Sequence, residues 1–313
     1  MNDLFIQMIS HCHGGRRELW KWAPEMSERM IQTTVGRLRV RIEGDEPSRG
    51  TAVLWHSLFV DERTWDRVVP DLAQDRRLIL ITGPGHGASG DPGRRYTLQD
   101  CADAAAEVLH AADVPDPVDW VGNAWGGHVG LVLAAGRPEL VRTLIAASSS
   151  IHRWQRAVRL QTQLLLLPLY RLLGPVGFIV DAVVEGNLSQ ATRLRDRSAE
   201  TLVRDCFTQA NRVRMANAIV SIGLGRTDLT PLLESVQVPT LLLTGSAHPD
   251  WSAEQVRAAA ARLPHGSSGV VDDAAYLLPL EAPAAFSHLV RQFWAPSTTP
   301  EHPQPRQGPF PER

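Results

Sequence analysis

The period of the hydrophobic pattern changes repeatedly along the chain. "TTVGRLRVRIEG" (33–44) alternates apolar and polar positions, as a strand with one solvated face does. "TAVLWHS" (51–57), "RLILITG" (77–83), "PVDWVG" (117–122), "LVRTLIAASSS" (140–150) and "VPTLLLTG" (238–245) are short, nearly continuous apolar runs, the signature of strands covered on both faces. "SSGVVDD" (267–273) reads as a last strand. Helical spacing fills the gaps: "RTWDRVVPDLAQD" (63–75), "YTLQDCADAAAEVLHAADV" (96–114), "WGGHVGLVLAAGRP" (125–138), "AEQVRAAAARLP" (253–264) and "APAAFSHLVRQFW" (282–294). Thr97 is the expected N-cap of the second of these, with Asp100 three residues on.

Strands alternating with helices predict an α/β fold, a mainly parallel sheet flanked by helices. Between residues 151 and 234 the alternation stops and the pattern is helical throughout. The expected organisation is an N-terminal extension (1–31), a core built from 32–150 and 235–295, a helical cap insertion (151–234) and a Pro-rich disordered tail (296–313). Inserted late in the chain, the cap should cover the C-terminal strand edges, where open α/β sheets bind ligands.

Composition narrows the partners. Hydrophobic residues make up 43% of the chain, charged residues 21%, and the net charge is −2 at pH 7. A chain with no basic excess is not built for nucleic acid. The most apolar stretch, "LLLLPLYRLLGPVGFIVDAVV", is broken by Pro168, Arg171, Gly174 and Pro175, so a membrane span is not expected. Three widely spaced cysteines, Cys12, Cys101 and Cys206, point away from a disulfide framework and toward the cytoplasm. His11 and His13 form a pair without further ligands at metal spacing, and no cofactor motif is present.

Four motifs in order, "LWHSLFVDERTW", "TGPGHGASG", "GNAWGG" and "LLPLEAP", resemble landmarks of the α/β-hydrolase superfamily from about Thr33 to Trp294. They are similar to its His-Gly loop, its Pro-Gly-His-Gly turn, its nucleophile elbow and the end of its histidine loop. Gly122 and Gly126 match the small residues that flank a nucleophile on a sharp strand-to-helix turn. The elbow looks most like the epoxide hydrolase and haloalkane dehalogenase branch, whose nucleophile is Asp followed by Trp-Gly-Gly. Here Ala124 occupies the nucleophile position. The position of the acid holds His248, with Asp250 two residues on, and that of the general base holds Tyr276.

The resemblance implies that backbone N–H groups of Leu58 and Trp125 form an oxyanion hole, which no side-chain change removes. Ser57 replaces that loop's usual glycine. His248 and Tyr276 are expected to form a proton-moving pair, with Asp250 orienting His248 or capping the helix after Ser252. Ala124, Asn123, His56 and Trp154 complete the expected substrate surroundings. His56 also reads as a loop stabiliser, His86 as structural, and His128 as facing the core in preference to the pocket. Trp65, Trp125, Trp154 and Trp251 with the leucine-rich cap imply a large apolar, aromatic or quinone-like small-molecule substrate. The leading expectation is a cofactor-independent, non-hydrolytic enzyme of natural-product biosynthesis, forming C–C bonds, cyclising or rearranging its substrate. The alternatives are a non-catalytic ligand-binding or receptor protein, and an ester or epoxide hydrolase with a relocated triad.

Overall fold

The computed structural model describes residues 27–44, 50–114 and 117–295. The expected tail, the His11 and His13 pair and Cys12 lie outside these residues. Eight strands form one sheet: β1 (Ser27–Thr33), β2 (Gly36–Glu43), β3 (Thr51–Trp55), β4 (Arg77–Ile81), β5 (Val118–Asn123), β6 (Val141–Ala147), β7 (Thr240–Gly245) and β8 (Gly266–Val271). Their order is β1-β2-β4-β3-β5-β6-β7-β8. The β1–β2 and β2–β4 pairs are antiparallel, and the others are parallel.

Two departures from the sequence expectation have simple causes. The alternating segment is only the second arm of a hairpin, because Thr33 pairs with Gly36 across a two-residue turn. The first arm, β1, begins at Ser27, inside the segment assigned to an extension. It is an edge strand whose residues Glu28–Met30 are exposed on both faces, so its pattern carries little apolar signal. The helix expected over 63–75 is instead a 3-10 turn, Glu62–Trp65, and a single turn, Val69–Leu72. Asp61 caps the first by accepting from Arg63 N–H, and Pro70, which has no N–H to donate, starts the second.

Both faces of the sheet are buried. Val53, Trp55, Ile79 and Ile81 pack on one side, while Ala52, Leu54, Leu78 and Leu80 pack on the other. Helices α1 (Leu98–Ala111) and α2 (Trp125–Gly136) cover the first face. The capping box expected at Thr97 and Asp100 is present. The helical block contributes α3 (Arg156–Gln161), α4 (Leu167–Leu173), α5 (Gly177–Asn187), α6 (Gln190–Arg195), α7 (Arg197–Gln209) and α8 (Arg212–Ala218). The chain then returns through β7, α9 (Ala253–Ala260) and β8 to α10 (Pro283–Trp294). No helix among the described residues is long and apolar enough to cross a membrane. The leucine-rich run is cut where Gly174, at φ 80°, ends α4.

Asp119 on β5 anchors the base of the sheet. It is fully buried and accepts from Arg76 Nε (2.7 Å), Arg142 Nε (2.9 Å) and the Thr143 hydroxyl (2.7 Å). Removing the carboxylate leaves a buried guanidinium without its counterion. Asp119→Ala is therefore expected to lower unfolding stability by about 3 kcal/mol or more in urea titrations. A change of less than a third of that would show that the cluster carries little.

Candidate active site

The elbow is set by how closely β5 approaches α2. A Cβ on Gly122 would stand 2.1 Å from the Gly126 backbone, and one on Gly126 would stand 2.0 Å from the Trp55 carbonyl oxygen. Only glycine permits the strand, the turn and the helix to stack this tightly. The turn forces Ala124 to φ 48°, ψ −103°, a conformation that a Cβ resists. Its N–H donates to Ala147 O (2.7 Å), and its carbonyl accepts from Gly127 and His128 (both 3.1 Å). The backbone of a nucleophile elbow is thus intact, with a methyl group at its apex.

The loop opposite is equally ordered. His56, fully buried, donates from Nδ1 to Ser57 O (2.6 Å) and accepts at Nε2 from Gly83 N–H (2.8 Å). His86 donates to Pro84 O and accepts from Phe59 N–H, with Phe59 at φ 73°. Burial lowers both histidines' pKa, His86 to about 3, so each is neutral at physiological pH. Ser57, where the resemblance expects glycine, is not at positive φ among the described residues. Leu58 and Trp125 both line a cavity of about 740 Å³ whose floor includes Ala124. Neither N–H joins the backbone hydrogen bonds of the surrounding turns.

The structure rearranges the expected roles around this floor. His248 and Tyr276 are together, their ring centroids 3.9 Å apart. His248 does not line the cavity, however, and its Nδ1 accepts Asp250 N–H (3.1 Å), which leaves the proton on Nε2. Burial depresses its pKa to about 4. Asp250 does not orient His248 through its carboxylate, nor does it cap the following helix. Ser252 is that cap, in a box with Gln255. The Asp250 carboxylate instead accepts from the Tyr276 hydroxyl (2.9 Å) and from Gln155 Nε2 (2.8 Å). Burial, then the Asp250 charge, pushes the Tyr276 phenol up, so it stays protonated. Asp250, Tyr276 and Gln155 all line the cavity.

Asn123 and His56, expected among the substrate contacts, do not reach the cavity. Asn123 is fully buried, and its amide donates to Ala147 O (3.1 Å) and to Tyr276 O (2.7 Å). It ties the tyrosine loop to the residue before Ala124. Trp154 lines the cavity as expected, whereas Trp65 and Trp251 are fully buried. The Trp125 ring lies inward against Trp55, His56 and His86, leaving its N–H at the floor.

Sequence reading missed two cavity residues. His128 donates from Nε2 to Ser150 O (2.8 Å), and its Nδ1 has no partner. Its pKa is lowered to about 3, by burial first and then by the Arg226 charge. Arg226, whose Nε also lacks a partner, lies in an irregular segment without periodic signal. Among the described residues no cavity serine hydroxyl hydrogen-bonds a histidine; Ser148, at φ 51°, donates to Ala275 O (3.0 Å). No group of three or more His, Cys, Asp or Glu side chains there converges as a metal ligand set.

Two predictions follow from this geometry. Ala124→Gly relieves the positive φ, and after the added chain entropy is counted it is expected to raise stability by about 1 kcal/mol in chemical denaturation. A loss of stability would contradict the strain. Acidification provides the second. His86, His128 and His248 protonate near 6.5 when unfolded but only near 3, 3 and 4 when folded. Between those values the unfolded chain binds more protons, so their contribution is complete above pH 6.5 and is lost as pH falls toward 3. Urea midpoints measured from pH 7.5 to 4.5 should decline steadily, whereas a flat profile would contradict neutral burial.

Comparison with known proteins agrees with the architecture. Residues 52–289 match the model of the alpha/beta hydrolase family. An (E)-2-((N-methylformamido)methylene)succinate hydrolase from Acinetobacter baylyi is 22% identical over 254 residues, which cover 79% of this chain and 90% of that protein. Among solved structures, a thermophilic esterase from Thermogutta terrifontis superposes with a TM-score of 0.75 at 21% identity, covering 86% of this chain and 97% of that one. The enol-lactonase from Burkholderia xenovorans gives 0.74 at 21% identity, covering 83% and 98%. With an eight-stranded sheet, an intact elbow and a family match across most of its length, the chain belongs to the alpha/beta hydrolase family.

Proposed function

We propose that the chain is an enzyme acting on a carbonyl substrate without a covalent intermediate at position 124. The observation that carries this reading is the Asp250–Tyr276 hydrogen bond, which opens onto the same cavity as the Leu58 and Trp125 N–H groups. The substrate carbonyl oxygen lodges against those two donors, a placement worth about 3 kcal/mol once charge develops on it. The Ala124 methyl leaves room beneath the carbonyl carbon for an attacking group. Asp250 keeps spare lone pairs beside those used by Tyr276 and Gln155, so it can take the proton of that group. Tyr276, held protonated, returns a proton to the leaving oxygen. His248 is a positioning residue that packs on Tyr276 and fixes the Asp250 backbone.

Water is the attacking group that the comparisons favour. The relatives are named as hydrolases and esterases and lend no support to C–C bond formation or cyclisation. The reaction proposed is hydrolysis of an ester or lactone by direct attack of water, a hydrolase with relocated machinery. A second reading, in which the substrate supplies its own nucleophile, as in cyclisation, is favoured by the space over Ala124 and uses the same groups. Product mass separates the two, since hydrolysis adds water and cyclisation or rearrangement does not.

Turnover of a panel of aryl esters and lactones tests the reading. Asp250→Asn should lower kcat about 100-fold or more with KM little changed, as loss of a general base does. Tyr276→Phe should cost less. Ala124→Ser should gain nothing, because His248 is stacked away from the cavity. An Asp250→Asn variant at full rate, or a fast Ala124→Ser variant, would overturn the assignment.

A further inference from the structure

The cavity wall supplied by the helical block is largely apolar, with Leu166, Leu167, Ile179, Phe207 and Ile222 along it. One cation interrupts it from within. Arg226 follows the wide helical turn Ile219–Leu224, against whose Gly223 the Trp154 ring packs. Arg226 lines the cavity and its Nε is buried without a hydrogen-bond partner, and no carboxylate among the described residues lies within ion-pair distance of it. Of the other cavity arginines, Arg193 also has an unpartnered Nε but is paired through Nη1 with Glu185 (3.4 Å), and Arg153 is exposed.

Asp250 is the nearest candidate counterion, and it is engaged elsewhere by Tyr276 and Gln155. Tyr276, the titratable neighbour that acts on Arg226 most, is held protonated, and the imidazoles of His128 and His248 carry no negative charge in any state. Burial lowers the Arg226 pKa only to about 10, so the guanidinium keeps its charge at neutral pH. A largely desolvated cation without a bound anion is costly, and a ligand carboxylate removes that cost through charge-assisted, forked hydrogen bonds. The adjacent His128 Nδ1 lone pair can accept from a ligand hydroxyl or amide.

We propose that the cavity selects an amphipathic carboxylate, with its carboxylate on Arg226 and its apolar chain along the helical wall. The inference rests on the proposed function for where the reacting carbonyl lies, beside Leu58 and Trp125, and adds the substrate class. A substrate would then carry a free acid at one end and the susceptible ester or lactone carbonyl nearer the elbow.

Binding tests this separately from turnover. Isothermal titration with decanoate and with decanol, which share a chain and differ in charge, reads the headgroup alone. The wild-type protein should bind decanoate at least about tenfold more tightly, the range of a charge-assisted hydrogen bond. Arg226→Gln should erase that preference and leave decanol binding unchanged, which also reports that the variant is folded. Arg226→Lys should keep part of it. Equal wild-type affinities for the two probes, or a preference that survives in Arg226→Gln, would overturn the proposal. Should the variant fail to fold, the wild-type comparison still decides. A decanoate preference with unimpaired Asp250→Asn turnover would sink the proposed mechanism and leave the carboxylate site standing.

Discussion

The contact on which the site depends is the backbone-to-backbone packing of Gly122 against Gly126 and of Gly126 against Trp55. It leaves no room for a Cβ, and it forces the intervening turn into the positive φ of Ala124. Everything at the cavity floor follows from that turn. Trp125 is the first residue of α2, whose first-turn N–H groups have no intrahelical acceptor, and its ring lies inward on Trp55 and the two neutral histidines. Those histidines hold the loop that carries Leu58. The strain at Ala124 is present although the side chain at the apex is a methyl group. What it still holds in place is a pair of backbone donors, whose electrostatics do not depend on the apex side chain.

Around this floor the polar groups have been redistributed rather than lost. The resemblance places the acid and base positions at His248 and Tyr276. In space Tyr276 hydrogen-bonds Asp250, and His248 packs on Tyr276 and accepts the Asp250 N–H. Asn123 couples the two halves by bonding both Ala147 O and Tyr276 O. A network of this kind costs little only when each member is satisfied. Within it Asn123 Oδ1 and His248 Nε2 stay unpartnered, as do Arg226 Nε, Arg193 Nε and His128 Nδ1 among the cavity residues.

How much of this was legible in the sequence varies with range. The central strands were readable because a sheet covered on both faces leaves continuous apolar runs, as in β3, β4, β5 and β7. The edge strand β1 was hidden because its residues Glu28–Met30 are exposed on both faces and its alternation is weak. The helix expected over 63–75 failed because periodicity ignores Pro70 and the Asp61 cap. Motif spacing located Ala124, Leu58, Trp125 and Tyr276. It could not show that Asp250 turns toward Tyr276, that Asn123 and His56 face away from the cavity, or that Arg226 lines it. Those facts depend on side-chain directions in loops, where no period operates.

In the proposed mechanism, carbonyl chemistry at this elbow forms no bond between enzyme and substrate. Intact-mass spectrometry of the protein, acid-quenched during steady turnover of an activated ester, tests it most directly. The protein should keep its unmodified mass at every time point while product accumulates. A species heavier by the acyl group, mapped to Ser148, Ser150 or any other cavity residue, would contradict it.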